Sequence, residues 1–199
     1  MEETGLDQPA VVAWSYGTLV IADYIRMFGS DNLAAINLVG SYAGLVPLIL
    51  PDDPDLLKRF MALRQLQSSE SLVDNIEAAH QSVGWLTHKP MDDQTTRNAV
   101  HIGLMLPTYA RKAMSARQFD NADLLDLMTM PVLITRGEHD PSTPKAGAQS
   151  LAEILKSGSV SEYPETGHSP FFESAQRFNE ELMGFICDQS NVCSSGQPK

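Results

Sequence analysis

The run Ala10-Val11-Val12-Ala13-Trp14-Ser15-Tyr16-Gly17 decides how the rest of this 199-residue sequence is read. Ala10–Trp14 is short, apolar and partly β-branched, and it follows the turn-prone Gly5-Leu6-Asp7-Gln8. Such a run reads as a buried parallel strand. From Gly17 the apolar residues switch to helical spacing: Leu19, Ile21, Ala22, Ile25 and Phe28 can line one side, and Gly29 is placed as a C-terminal cap. Ser15 therefore falls in a strand-to-helix turn. A nucleophile elbow needs that arrangement, because a sharp turn lifts a Ser hydroxyl clear of the sheet. Small residues two before and two after the Ser relieve its crowding, and here they are Ala13 and Gly17.

Outward from this stretch, Leu33–Val39 is a second apolar strand candidate. From Gly44 to about Met128 the texture changes. Pro47, Pro51 and Pro54 break the chain, and helical segments are predicted near Pro54–Gln67, Ser71–Val83, Gln94–Leu106 and Ala122–Met128. Asp53 before Pro54 marks a helix start, since proline suits the first helical position. Pro131–Gly137 is the clearest strand in the chain. Thr143-Pro144 opens a helix to about Leu155, Ser159–Tyr163 is a weaker strand, and Ser169-Pro170 opens a final amphipathic helix, Phe171–Ile186. Strands alternating with helices imply a parallel sheet with right-handed crossovers.

Two more positions follow strands. Asp140, in Gly137-Glu138-His139-Asp140, lies at the carboxyl end of the strongest strand, the edge where open α/β sheets bind ligands. Alone it reads equally well as a turn residue before Pro141. His168, in Gly167-His168-Ser169-Pro170, sits on the loop before the last helix, where a surface His capping that helix is the plainer reading. Histidine is nevertheless the natural general base near neutral pH. The order Ser15, Asp140, His168 is what joins three separately weak signals into one.

In that order, and on Val11–Gly17, Pro131–Asp140 and Gly167–Pro170, the sequence resembles the serine-nucleophile α/β-hydrolase fold proteins, the esterase, lactonase and cofactor-free haloperoxidase group. The resemblance implies an α/β fold with a mainly parallel sheet and a helical cap insertion. It implies Ser15 as nucleophile, His168 as base and Asp140 as its orienting acid, with the backbone N–H of Tyr16 as one oxyanion donor. The family begins with several strands before the elbow, whereas 14 residues precede Ser15 here. The sequence thus looks like an N-terminally truncated member, lacking the loop that supplies the second oxyanion donor. The expected division is core sheet over 1–45, helical cap over 46–127, core sheet over 128–189 and a disordered tail over 190–199.

Composition narrows the function classes. With 14 Lys plus Arg against 25 Asp plus Glu the net charge is −11, which speaks against nucleic acid and anionic membrane surfaces as partners. No stretch is long enough to span a membrane and the acidic N-terminus is no signal peptide, so a cytoplasmic location is the default. The two cysteines, Cys187 and Cys193, read as ordinary thiols, with one disulfide in the tail as the alternative. His80, His88 and His101 lack ligand spacing, and His139 reads as structural or exposed, so no metal and no cofactor is expected. The expected partner is a small-molecule acyl substrate, together with a second copy of the chain through an exposed edge strand. The expected reaction is cleavage of an ester, thioester or lactone through an acyl-enzyme. Two other readings remain open at this point: a non-catalytic relative, and peracid or carbon–carbon hydrolysis on the same residues.

Overall fold

The computed structural model describes residues 5–50, 53–117 and 119–189. Four parallel strands, β1 (Ala10–Trp14), β2 (Ala35–Val39), β3 (Val132–Gly137) and β4 (Gly158–Tyr163), form one sheet in the order β1-β2-β3-β4. Register runs Ala13 opposite Leu38, Leu38 opposite Ile134, and Ile134 opposite Val160. Each crossover carries helix: α1 (Gly17–Phe28) between β1 and β2, and α6 (Lys145–Ile154) between β3 and β4. The long crossover from β2 to β3 holds α2 (Pro54–Gln67), α3 (Leu72–Val83), α4 (Asp93–Leu104), α5 (Thr108–Ala116) and a 3-10 helix at Ala122–Leu127. After β4 come the one-turn α7 (Pro170–Glu173) and then α8 (Ala175–Gln189).

The period of two along a strand sorts side chains to two faces. Ile36, Leu38, Val132 and Ile134 join Ile21 and Ile25 of α1 and Ala148 and Leu151 of α6 in the main core. On the other face Val39 and Tyr163 meet Phe178 of α8. That second face also buries a polar pair, the Thr135 hydroxyl donating to the Asn37 side-chain oxygen at 2.8 Å. β2 and β3 are buried throughout, as strands covered on both faces must be. β1 is paired only with β2 among the described residues, and Val12 and Trp14 are exposed along it. The insertion has a small core of its own, where Ala79 and Val83 of α3 pack on Val100 of α4. α2 and α4 start on sequence-encoded caps. The Asp53 carboxylate accepts from the N–H of Asp55 and Leu56, and Asp92 accepts from Gln94 and Thr95.

Two expectations need correction. The final helix is not continuous: it breaks at Ser174, which leaves helical geometry at φ −132° and ψ 46°, so α7 and α8 are separate. And Cys187 is disulfide-bonded, the alternative left open by the sequence. The helical segment expected near Ala122–Met128 is present, as a 3-10 helix over Ala122–Leu127. The expected tail over 190–199 lies outside the described residues. No helix among them is long and apolar enough to cross a membrane.

Candidate active site

Ser15 leaves β1 and takes φ 52°, a left-handed backbone that L-residues adopt at a cost. The turn is pinned from both sides: the Ser15 N–H donates to the Val39 carbonyl at 2.8 Å, and the Thr18 hydroxyl donates to the Ser15 carbonyl at 2.7 Å. α1 starts directly afterwards, with Tyr16 as its N-cap residue, so the Tyr16 N–H belongs to the donors that a helix start leaves unpaired within the helix. Crowding accounts for Ala13, which is buried, but not for Gly17: a Cβ added there would meet nothing within 4 Å among the described residues.

Asp140 is buried on the loop after β3. Its carboxylate accepts from the Ser142 N–H at 2.9 Å, the Thr143 hydroxyl at 2.7 Å and His168 Nδ1 at 2.8 Å. This loop is braced by the buried Arg136, whose Nε donates to the Thr143 carbonyl at 2.7 Å and whose guanidinium also pairs with Glu162. Burial works against the Glu162 charge, but Lys145 and Arg136 outweigh it and hold the carboxyl below the usual range. Tyr42 donates to the Pro144 carbonyl, and burial pushes its phenol above the usual range, so it stays a neutral donor.

His168 is nearly buried, with Nδ1 on Asp140 and Nε2 2.8 Å from the Ser15 hydroxyl oxygen. An ionised carboxylate only accepts, so Nδ1 carries the proton and Nε2 presents its lone pair to Ser15. The ring has little room to turn. A Cβ on Gly40, which sits at φ 65°, would come within 2.8 Å of His168 Cε1. The Trp14 indole N–H donates to the His168 carbonyl at 2.8 Å, and the Trp14 ring lies edge-on to Phe171. The acid and histidine loops also touch directly: the His139 N–H donates to the Thr166 carbonyl at 2.9 Å, and a Cβ on Gly137 would fall 2.0 Å from the Gly167 carbonyl.

All three sequence-selected side chains thus meet in one hydrogen-bonded line. What sequence reasoning missed are the groups around them. Trp14 lies within the motif Val11–Gly17 but carries no pattern of its own, and Thr143 was read only as the opening of a helix. His139, read as structural or exposed, is exposed, and its stacking on His88 of the insertion, ring centroids 3.8 Å apart and nearly parallel, was not foreseen. No group of His, Cys, Asp and Glu suited to hold a metal ion occurs among the described residues.

An elbow at the carboxyl end of a parallel strand, facing a histidine and an acid from the two later strand ends, defines a class. The sequence profile of the alpha/beta hydrolase fold family matches residues 1–175, and the chain belongs to that family. It is 26% identical over 191 residues to the pimeloyl-[acyl-carrier protein] methyl ester esterase of Vibrio cholerae, covering 87% of this chain and 68% of that protein. The Vibrio vulnificus protein of the same name is 25% identical over the same shares. Among solved structures, the esterase RhEst1 from Rhodococcus sp. ECU1013 superposes with a TM-score of 0.79 at 23% identity, over 95% of this chain and 68% of that one. The chain thus spans about two thirds of the length of these relatives.

Proposed function

We propose that this protein is a serine hydrolase of small carboxylic esters. In this reading the Ser15 hydroxyl attacks the ester carbonyl carbon while His168 Nε2 takes its proton. Asp140 keeps Nδ1 protonated and stabilises the imidazolium. The carbonyl oxygen becomes an oxyanion facing the Tyr16 N–H, at the positive end of α1. Collapse expels the alcohol, which receives the proton from His168, and leaves an acyl group on Ser15. Water, deprotonated by the same imidazole, then releases the carboxylic acid and restores Ser15.

The observation that carries this reading is the unbroken pair of 2.8 Å bonds, Ser15 to His168 and His168 to Asp140. The names of the curated relatives favour an ester, and first a methyl ester of an acyl chain, over a thioester or a lactone. The helical insertion, expected over 46–127, would choose the substrate, since the chain leaves β2 for it at the carboxyl edge of the sheet, which holds the site. A fluorophosphonate probe together with a series of p-nitrophenyl and methyl esters tests the proposal. Labelling of Ser15 and ester turnover that disappears in S15A are expected. Folded protein that neither labels nor turns over esters would overturn it and favour a non-catalytic role.

A further inference from the structure

Glu173 is the last residue of the one-turn helix α7, five positions after His168. Its carboxylate accepts three backbone N–H groups from two separate parts of the chain. Oε2 takes the Gly167 N–H at 2.6 Å, immediately before His168. Oε1 takes the N–H of His88 at 2.8 Å and of Lys89 at 3.2 Å, both in the loop between α3 and α4 of the insertion. The two segments are in backbone contact there, since a Cβ on Gly167 would lie 2.7 Å from both His88 N and Thr87 C. The stacked His88 and His139 rings and the Lys89–Glu165 ion pair, at 2.9 Å, flank the same junction.

The chemistry singles out a carboxylate. Three donors converge on two oxygens, and only an ionised acid offers acceptors at both. An amide in its place would turn an NH2 toward at least one N–H, and an alanine would leave all three without this partner. Bonds from N–H to a charged acceptor are also about twice as strong as neutral ones. One of them fixes the Thr166–Gly167 peptide, on the amino side of His168. Its far side is fixed in turn by the Trp14 bond to the His168 carbonyl.

We infer that Glu173 is a positioning residue for His168: it ties the histidine loop to the helical insertion, so that docking of the insertion sets the aim of the imidazole at Ser15. This rests on the reading of Ser15 and His168 given above. Because Glu173 acts through His168 and not on the substrate, its loss lowers kcat and spares KM.

The test is E173Q, an isosteric change, assayed on an activated ester at a temperature well below its melting midpoint. A misplacement of the base of about 1 Å predicts a kcat lower by about 10- to 100-fold, with KM within about twofold. In an H168A background the same change should cause no further loss of the residual turnover, because a residue acting through His168 falls silent without it. A merely structural role would lower both backgrounds alike or neither. Where E173Q does not fold, E173D keeps both oxygens but draws them back by one methylene, and a kcat lower by about threefold or more is expected. Parental kcat in either folded variant, with S15A inactive, overturns the role of Glu173 alone. Parental turnover by S15A overturns the reading of the site and the role of Glu173 with it.

Discussion

The indole N–H of Trp14 donates to the carbonyl of His168 across 154 positions of sequence, at 2.8 Å. The residue just before the proposed nucleophile therefore holds the backbone of the proposed base. The elbow and the histidine loop are one hydrogen-bonded unit, not two loops that happen to meet.

Trp14→Phe keeps an aromatic ring against Phe171 but removes the donor. A net hydrogen bond is worth about 1 kcal/mol, so kcat should fall by about fivefold with little change in KM. Steady-state kinetics on an activated ester check this. Unchanged kcat would mean that the His168 carbonyl is held well enough by its other neighbours.

Asp140→Asn should be far more severe. The amide can present its NH2 to Nδ1, which favours the tautomer with the proton on Nε2, facing Ser15 and unable to accept. A kcat loss on the order of 10³–10⁴ is expected. Fluorophosphonate labelling of Ser15 should slow in parallel. A mild loss would mean that another group orients the imidazole.

Ser15 holds φ 52°. A left-handed backbone costs a residue with a Cβ about 1–2 kcal/mol, and glycine escapes that cost while losing about 0.5–1 kcal/mol of chain entropy on folding. S15G should therefore melt above S15A by the equivalent of about 0.5–1 kcal/mol, and both should be inactive. Calorimetry of the two variants decides it. Equal melting temperatures would show that the turn is not strained.

Glu162 partners the buried Arg136, and its carboxyl sits below the usual range against the opposition of burial, through Lys145 and Arg136. Because the folded state lowers this pKa, its contribution is full at neutral pH and is lost as the pH falls through the acid range. E162Q should cost about 1–3 kcal/mol near pH 7, and the deficit should shrink in acid. Urea melts of parent and variant at pH 7 and below pH 4 read out the sign. A deficit that grows in acid would contradict it.

β1, β3 and α1 were legible because each carries an unmixed signal. Ala10–Trp14 and Val132–Gly137 are apolar runs bounded by turn residues, and α1 ends where Gly29 offers positive φ, here 75°. α5 was not foreseen. It is nine residues long and buries no residue, so its short apolar side, with Ala110, Ala113 and Met114, gave periodicity too brief a run to single out. The break at Ser174 escaped too, since the apolar spacing from Phe171 onward runs through it. That Ser15, Asp140 and His168 come together was legible from their chain order and their places after strands. Glu173, Thr143 and the stacking of His88 on His139 were not, because they depend on how loops approach one another, and a single sequence carries no distance between loops.

The sheet adds its strands in the order in which they are synthesised, β1 to β4. Ser15 leaves the ribosome 153 residues ahead of His168. At translation rates of about 5–20 residues per second, that gap lasts roughly 10–30 s. Through that interval the growing chain can pair its first three strands and fold the insertion, yet it carries a hydroxyl with no base beside it. In the proposed reading, reactivity toward esters arrives only with the closing loop, and a nascent or stalled chain lacks it.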